Sequence, residues 1–66
     1  MLNKIREERL KLNFTQQELA NKVGVSRQTI NSLEGSIYIP TTVLALKLSK
    51  VFKIPVNAIF QLERDD

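Results

Sequence analysis

Between residues 15 and 35 the chain is punctuated so tightly that two short helices joined by a sharp turn are the natural fit. Thr15-Gln16-Gln17-Glu18 is a capping box. The threonine hydroxyl accepts from the amide three residues on, and the glutamate reaches back to the cap amide. Leu19, Ala20 and Val23 follow as the apolar positions, and Gly24 stops the helix where positive φ is cheap. Ser26 caps a second helix of about residues 27–34, with Ile30 and Leu33 turned inward. Ala20 falls where the two helices cross, and a larger side chain there would push them apart. With Val25, Ile30 and Leu33 holding one side of the second helix to the body, its other side must project.

Helical steps of about 100° per residue place Arg27, Gln28, Asn31 and Ser32 on that outer arc. None is apolar and none is acidic. Arg can fork onto guanine O6 and N7, and Gln or Asn onto adenine N6 and N7, in the major groove of duplex DNA. A helix face that is only solvated usually mixes Glu with Lys.

Elsewhere the pattern stays helical. Asn3 is placed to cap a helix of about residues 4–13, with Ile5, Arg9 and Leu12 on one face. Ile39 before Pro40 is held extended, so residues 35–40 read as a loop. Thr41 caps a helix running through Phe52, with Leu44, Leu48, Val51 and Phe52 on its core side. Pro55 opens a short fifth helix ending near Phe60. No convincing alternating strand appears, so the expected fold is all-α: a compact five-helix bundle forming a single domain over residues 1–66.

Arg9 and Glu34 each place a charge on an otherwise apolar helix face. An unpaired buried charge is prohibitive, so two of opposite sign in one small core suggest each other as partners. The alternative is that both side chains reach water at the rim.

The chain has 66 residues and neither cysteine nor histidine. That removes disulfides, thiolate metal sites, the commonest zinc ligand and the commonest general base. There is no glycine-rich phosphate loop and no carboxylate pair in a plausible cleft, so catalysis, a cofactor and a metal are all unexpected. No apolar run approaches the roughly 18 residues of a membrane span, and the polar start Met1-Leu2-Asn3-Lys4 is not a signal peptide. A cytoplasmic protein is expected. Net charge is +3, with Glu63, Asp65 and Asp66 among the seven acids and Arg64 among the ten bases. The first 62 residues therefore hold nine bases against four acids, which suits a polyanionic partner.

The run Thr15 to Ile30, followed by Leu33-Glu34, Tyr38, Pro40, Leu44-Ala45-Leu46-Lys47, Val51-Phe52 and Ile59-Phe60, closely resembles the Cro and phage-repressor helix-turn-helix family. The resemblance covers nearly the whole chain and implies a lambda-repressor-like domain with the motif at about residues 16–35. It implies that Ser26, Arg27, Gln28 and Thr29 in the first turn of the third helix contact double-stranded DNA, with Asn31 and Ser32 contributing. It also implies that Gln16, beside Gln17 at the start of the second helix, holds a phosphate, and that Arg9 and Glu34 pair. The sequence departs from the family after Glu34. Gly35-Ser36-Ile37 stands where Asn-Gly-Lys is usual, so Ser36 falls at a position that prefers positive φ unless the loop is rearranged. The lysine that commonly faces the DNA backbone is Ile37. Ile37 and Ile39 around Tyr38 make an apolar loop that either packs inward or meets a partner.

Residues 54–63 are unusually apolar for a chain end. Ile54 and Ile59 are expected to close the core, leaving Val56, Phe60, Leu62 and Leu2 as candidates for an exposed patch. Small members of the resembled family form homodimers through this segment, sometimes with a short strand pairing. The implied function is a sequence-specific transcriptional regulator of a prokaryote or phage, a repressor reading an inverted repeat as a homodimer. A second reading is an antitoxin-like or adaptor module that uses the same fold to bind a protein partner.

Overall fold

The computed structural model describes residues 1–66. Its elements in order are β1 (Leu2–Asn3), α1 (Ile5–Lys11), α2 (Gln16–Val23), α3 (Arg27–Glu34), α4 (Thr42–Phe52), α5 (Val56–Ile59) and β2 (Phe60–Gln61). Three helices start on the caps read from sequence. The Thr15 hydroxyl accepts from the Glu18 amide at 3.0 Å while the Glu18 carboxylate accepts from the Thr15 amide at 2.9 Å. Ser26 Oγ accepts from the Thr29 amide, and Thr41 Oγ1 from the Leu44 amide. Each such cap satisfies an amide that the helix itself leaves without a partner. Gly24 ends α2 at φ +73°, a conformation any other L-residue would adopt with strain.

The core is one cluster drawn from every helix. Ile5, Leu19, Ala20, Val23, Ile30, Leu33, Leu48 and Ile59 are almost wholly buried, and Leu44 and Phe52 nearly so. Full burial of such an aliphatic side chain is worth about 1.5–3 kcal/mol. Ala20 has no exposed surface where α2 packs on α3.

The short terminal strand pairing that the family resemblance allowed is present within this one chain: β1 and β2 pair antiparallel, Leu2 opposite Gln61 and Asn3 opposite Phe60. The architecture is a five-helix bundle with this two-stranded clasp across its ends. Two expectations need correction. The first is Asn3, which lies in β1 rather than at the helix cap. Its side chain nevertheless ties three elements together, since Oδ1 accepts from the Ile5 amide and Nδ2 donates to the Leu33 carbonyl at 2.7 Å. The second is Leu12, which is 43% exposed and not on the core face. The Arg9 guanidinium donates to the Phe14 carbonyl at 2.7 Å, and Asn13 takes φ +59°. The chain therefore leaves the helix after Lys11 and carries Leu12 off its face. Val51 is only half-buried at the edge of the core.

After α3 the Ser36 amide donates to the Leu33 carbonyl and the Ile37 amide to the Ser32 carbonyl, which closes the helix and turns the chain out. Ser36, not Gly35, takes the left-handed conformation, with φ +58°. Ile37 and Ile39 do not fold inward; they are 84% and 68% exposed.

Candidate nucleic-acid interface

Ile30 and Leu33 are buried, which fixes α3 to the body and leaves Arg27, Gln28 and Asn31 exposed on its far side. Thr29 and Ser32 are half-buried at the edge of that face. Ser26 and Thr29 share a hydrogen bond between their hydroxyls at 2.9 Å, so both are committed to starting the helix. Gln17 Nε2 donates to Asn21 Oδ1 one turn on. No acidic side chain is exposed on α3. Its single acid, Glu34, has a side chain only 6% exposed.

Arg9 and Glu34 are brought together. Arg9 Nε lies 2.7 Å from Glu34 Oε2, and a second guanidinium nitrogen donates to Oε1 at 3.2 Å. With the Phe14 carbonyl occupying the remaining nitrogen, both charges are desolvated yet fully bonded, the condition under which a buried pair is tolerated. No buried side-chain polar atom lacks a hydrogen-bond partner.

Gln16 belongs to the same assembly. Its Nε2 donates to Glu34 Oε1 at 3.1 Å and to Asn31 Oδ1 at 3.3 Å. The side chain expected to reach a phosphate thus lies between the ion pair and α3 in the free protein. Sequence reasoning missed this link, because residues 15 positions apart on different helices share no local pattern.

It also missed the walls of the groove beside α3. Ser26, Gln28, Thr29, Ser32, Ile37 and Tyr38 line a concavity of about 380 Å³. The backbone amides of Ile37 and Tyr38 both donate to the Ser32 carbonyl, which holds the loop along the helix. Lys22, Lys47, Lys50 and Lys53 gather with Phe14 around a second concavity next to Gly24, and Lys22 Nζ sits 4.8 Å from the Phe14 ring centroid.

At the other end of the molecule, Val56 and Phe60 are half-buried and Leu62 is exposed. With Met1 they border a shallow depression that continues past Ile39 and Leu46. Leu46 could have been found from sequence as the α4 leucine off the stripe of Leu44, Leu48 and Phe52. The N-terminal ammonium pairs with Glu63 at 2.9 Å and Asp66 at 3.1 Å. Those two carboxylates raise the amine's pKa, while the Glu63 amide and the ammonium lower that of Asp66. The Thr15 amide likewise lowers the pKa of Glu18, holding the capping carboxylate ionised. No helix is long and apolar enough to cross a membrane.

Comparison with known proteins agrees with this geometry. The helix-turn-helix family description matches residues 5–59. The chain is 44% identical over its full length to the whole of MJ0272 of Methanocaldococcus jannaschii, an uncharacterized HTH-type transcriptional regulator. It is 38% identical, again over both whole chains, to another of that description, YgzD of Bacillus subtilis. Among solved structures, the SOS-response transcriptional repressor LexA from Eubacterium rectale superposes with a TM-score of 0.82. That match has 27% identity and covers 96% of this chain and 67% of that one. The acid-free outer face of α3 therefore sits in a known setting: the chain belongs to the Cro/C1-type helix-turn-helix family of DNA-binding transcriptional regulators.

Proposed function

We propose that this protein is a sequence-specific repressor that reads an inverted-repeat operator through the major groove as a homodimer. The observation that carries the reading is the outer side of α3: Arg27, Gln28 and Asn31 exposed, no exposed acid, and a buried anchor at Ile30 and Leu33. In this reading Gln16, Gln17, Ser26, Thr29 and Ser32 flank the reading residues and meet the backbone of the duplex. Residues 1–66 act as one DNA-binding unit in the cytoplasm, and they need no cofactor.

One recognition helix reads too few bases to define a site. Two copies about 34 Å apart read a palindrome. Val56, Phe60 and Leu62, continued by the exposed Leu46 and Ile39, supply an apolar surface for a twofold contact. The exposure of Ile37 and Ile39 also favours a second reading, a module that binds a protein partner through the loop.

Selection of bound duplexes from a random pool, at stated salt, separates the two. An enriched inverted repeat supports the dimeric DNA reader. No enrichment would overturn it in favour of the interaction module. Sedimentation of the protein alone tests the dimer, which a monomer at well above micromolar concentration would rule out.

A further inference from the structure

Four of the ten basic side chains gather on one surface away from α3. Lys22, Lys47, Lys50 and Lys53 rim a concavity of about 680 Å³ where the ends of α2 and α4 meet, and no acid lines it. All four are exposed, and none pairs with a carboxylate. Glu18, one turn before Lys22, is committed to the Thr15 amide. Lys47 Nζ lies 4.0 Å from the point where a Cβ on Gly24 would stand, and Lys22 Nζ rests over the Phe14 ring.

Cations are favoured near helix C-termini, but each such end carries only about half a negative charge. Two helix ends therefore leave most of the charge on four ammonium groups without a counterpart. Lys53 makes the excess plainer. It holds the left-handed conformation at φ +59° where α4 ends, a position that glycine takes without strain. Like charges so placed repel one another, and an anion from outside relieves them.

The place of the patch says which anion. Thr29 and Tyr38 border both the groove beside α3 and a depression at Val25 and Thr41, while Val23, Gly24 and Lys47 border that depression and the patch. The surface thus runs unbroken from the outer face of α3 round to the lysines. On α4, Ala45 and Leu46 line the apolar depression shared with Val56 and Phe60, whereas Lys47 and Lys50 line the patch. We propose that Lys22, Lys47, Lys50 and Lys53 form a sequence-independent seat for the DNA backbone that flanks the bases read by α3. The inference rests on the dimeric operator reading proposed above and extends its footprint. With Leu46 and its neighbours turned to a second copy, the lysines face the duplex beyond the half-site. Lysine suits that task, because a point charge on a flexible stem holds a phosphate and carries no base information.

The test uses the enriched duplex in two lengths. One ends at the last base pair of the inverted repeat; the other carries about ten further base pairs, a helical turn, on each side. Binding to each is titrated against potassium chloride. In the wild type the longer duplex should give the steeper fall of log K with log salt, by about 0.9 for each lysine that meets a phosphate. Combining Lys47→Gln, Lys50→Gln and Lys53→Gln should erase that difference and leave both the base preference and the slope on the short duplex unchanged. Lys22 stays in place because it packs on Phe14. The melt should match wild type, since the three replaced side chains are exposed. The matching triple K47R, K50R and K53R should keep the steeper slope.

Equal wild-type slopes on the two lengths would overturn the inference with DNA reading intact, and would leave the patch to an acidic protein segment. An equal flattening on both lengths in the glutamine variant would overturn it too, making the lysines part of the protein's general field. A pool with no enriched sequence would instead remove the reading on which the inference rests.

Discussion

The outer face of α3 and the surface formed by Leu46, Val56, Phe60 and Leu62 are both exposed, yet they are built on opposite principles. The α3 face is polar, and one of its exposed side chains, Asn31, is tied back into the core through Gln16 and a bonded ion pair. The other surface is apolar and has no directional bond to hold it. Water solvates the first at little cost, while the second loses about 25 cal/mol for each Å² left uncovered. The difference teaches that hydrogen bonds can fix a polar side chain's orientation in advance, whereas an apolar surface meets whatever covers it through shape and area alone.

The hardest way to break the contrast is to cut the support beneath the outer face of α3. Arg9→Ala leaves Glu34 charged, desolvated and without its main partner, and should lower stability by about 3–5 kcal/mol. A urea or thermal melt matching wild type would show that the pair contributes nothing. On the opposite surface, Leu46→Asp should leave the fold intact because the side chain is already 57% exposed. It should weaken self-association by about 2 kcal/mol, read by sedimentation across a dilution series. Unchanged self-association would take Leu46 out of the proposed contact.

Arg27→Ala should leave the melt unchanged and weaken binding to a selected duplex by about 1–3 kcal/mol, with relaxed preference at one base pair. A uniform loss across all sequences would make Arg27 a backbone contact instead. Ser36→Gly relieves a left-handed residue at φ +58° between the two surfaces. It should add about 1 kcal/mol of stability, or roughly 4–8 °C in the melting temperature. A lower melting point would show that the serine side chain is needed there.

The smallest effect is electrostatic and lies in the clasp at the chain ends. The amine's pKa is raised in the folded protein, so its contribution is complete below the ordinary value of about 8 and lost as pH climbs through the raised one. The pKa of Asp66 is lowered, so its contribution is complete above about 3.9 and lost as pH falls through the lowered one. Melting curves of wild type and Asp66→Asn should differ slightly at neutral pH and converge at both extremes. A constant difference from acid to alkaline pH would exclude the pairing.

Much of the fold was legible because its signals are local. Thr15, Ser26, Thr41 and Gly24 act on amides and carbonyls within four residues, so the chain around them carries the whole instruction. The ionic partnership of Arg9 and Glu34 could be inferred across 25 positions because a buried charge tolerates few alternatives. Leu12 misled, since its helical phase was right but the helix ended at Lys11, just before it. The departure at Gly35-Ser36 pointed correctly to strain at Ser36, because handedness is a property of one residue and its neighbours.

The sequence by itself therefore determined where helices begin and stop, which stripe each one buries, and which side chains α3 turns outward. Capping, glycine conformation and helical period are short-range physics, and they leave little freedom once the residues are chosen. Tertiary structure alone decided the pairing of β1 with β2, the exposure of Ile37 and Ile39, and the bridge from Glu34 through Gln16 to Asn31. Those features depend on which surfaces remain after the core has closed and on which donor then lies within reach of which acceptor. No spacing along the chain encodes that distance.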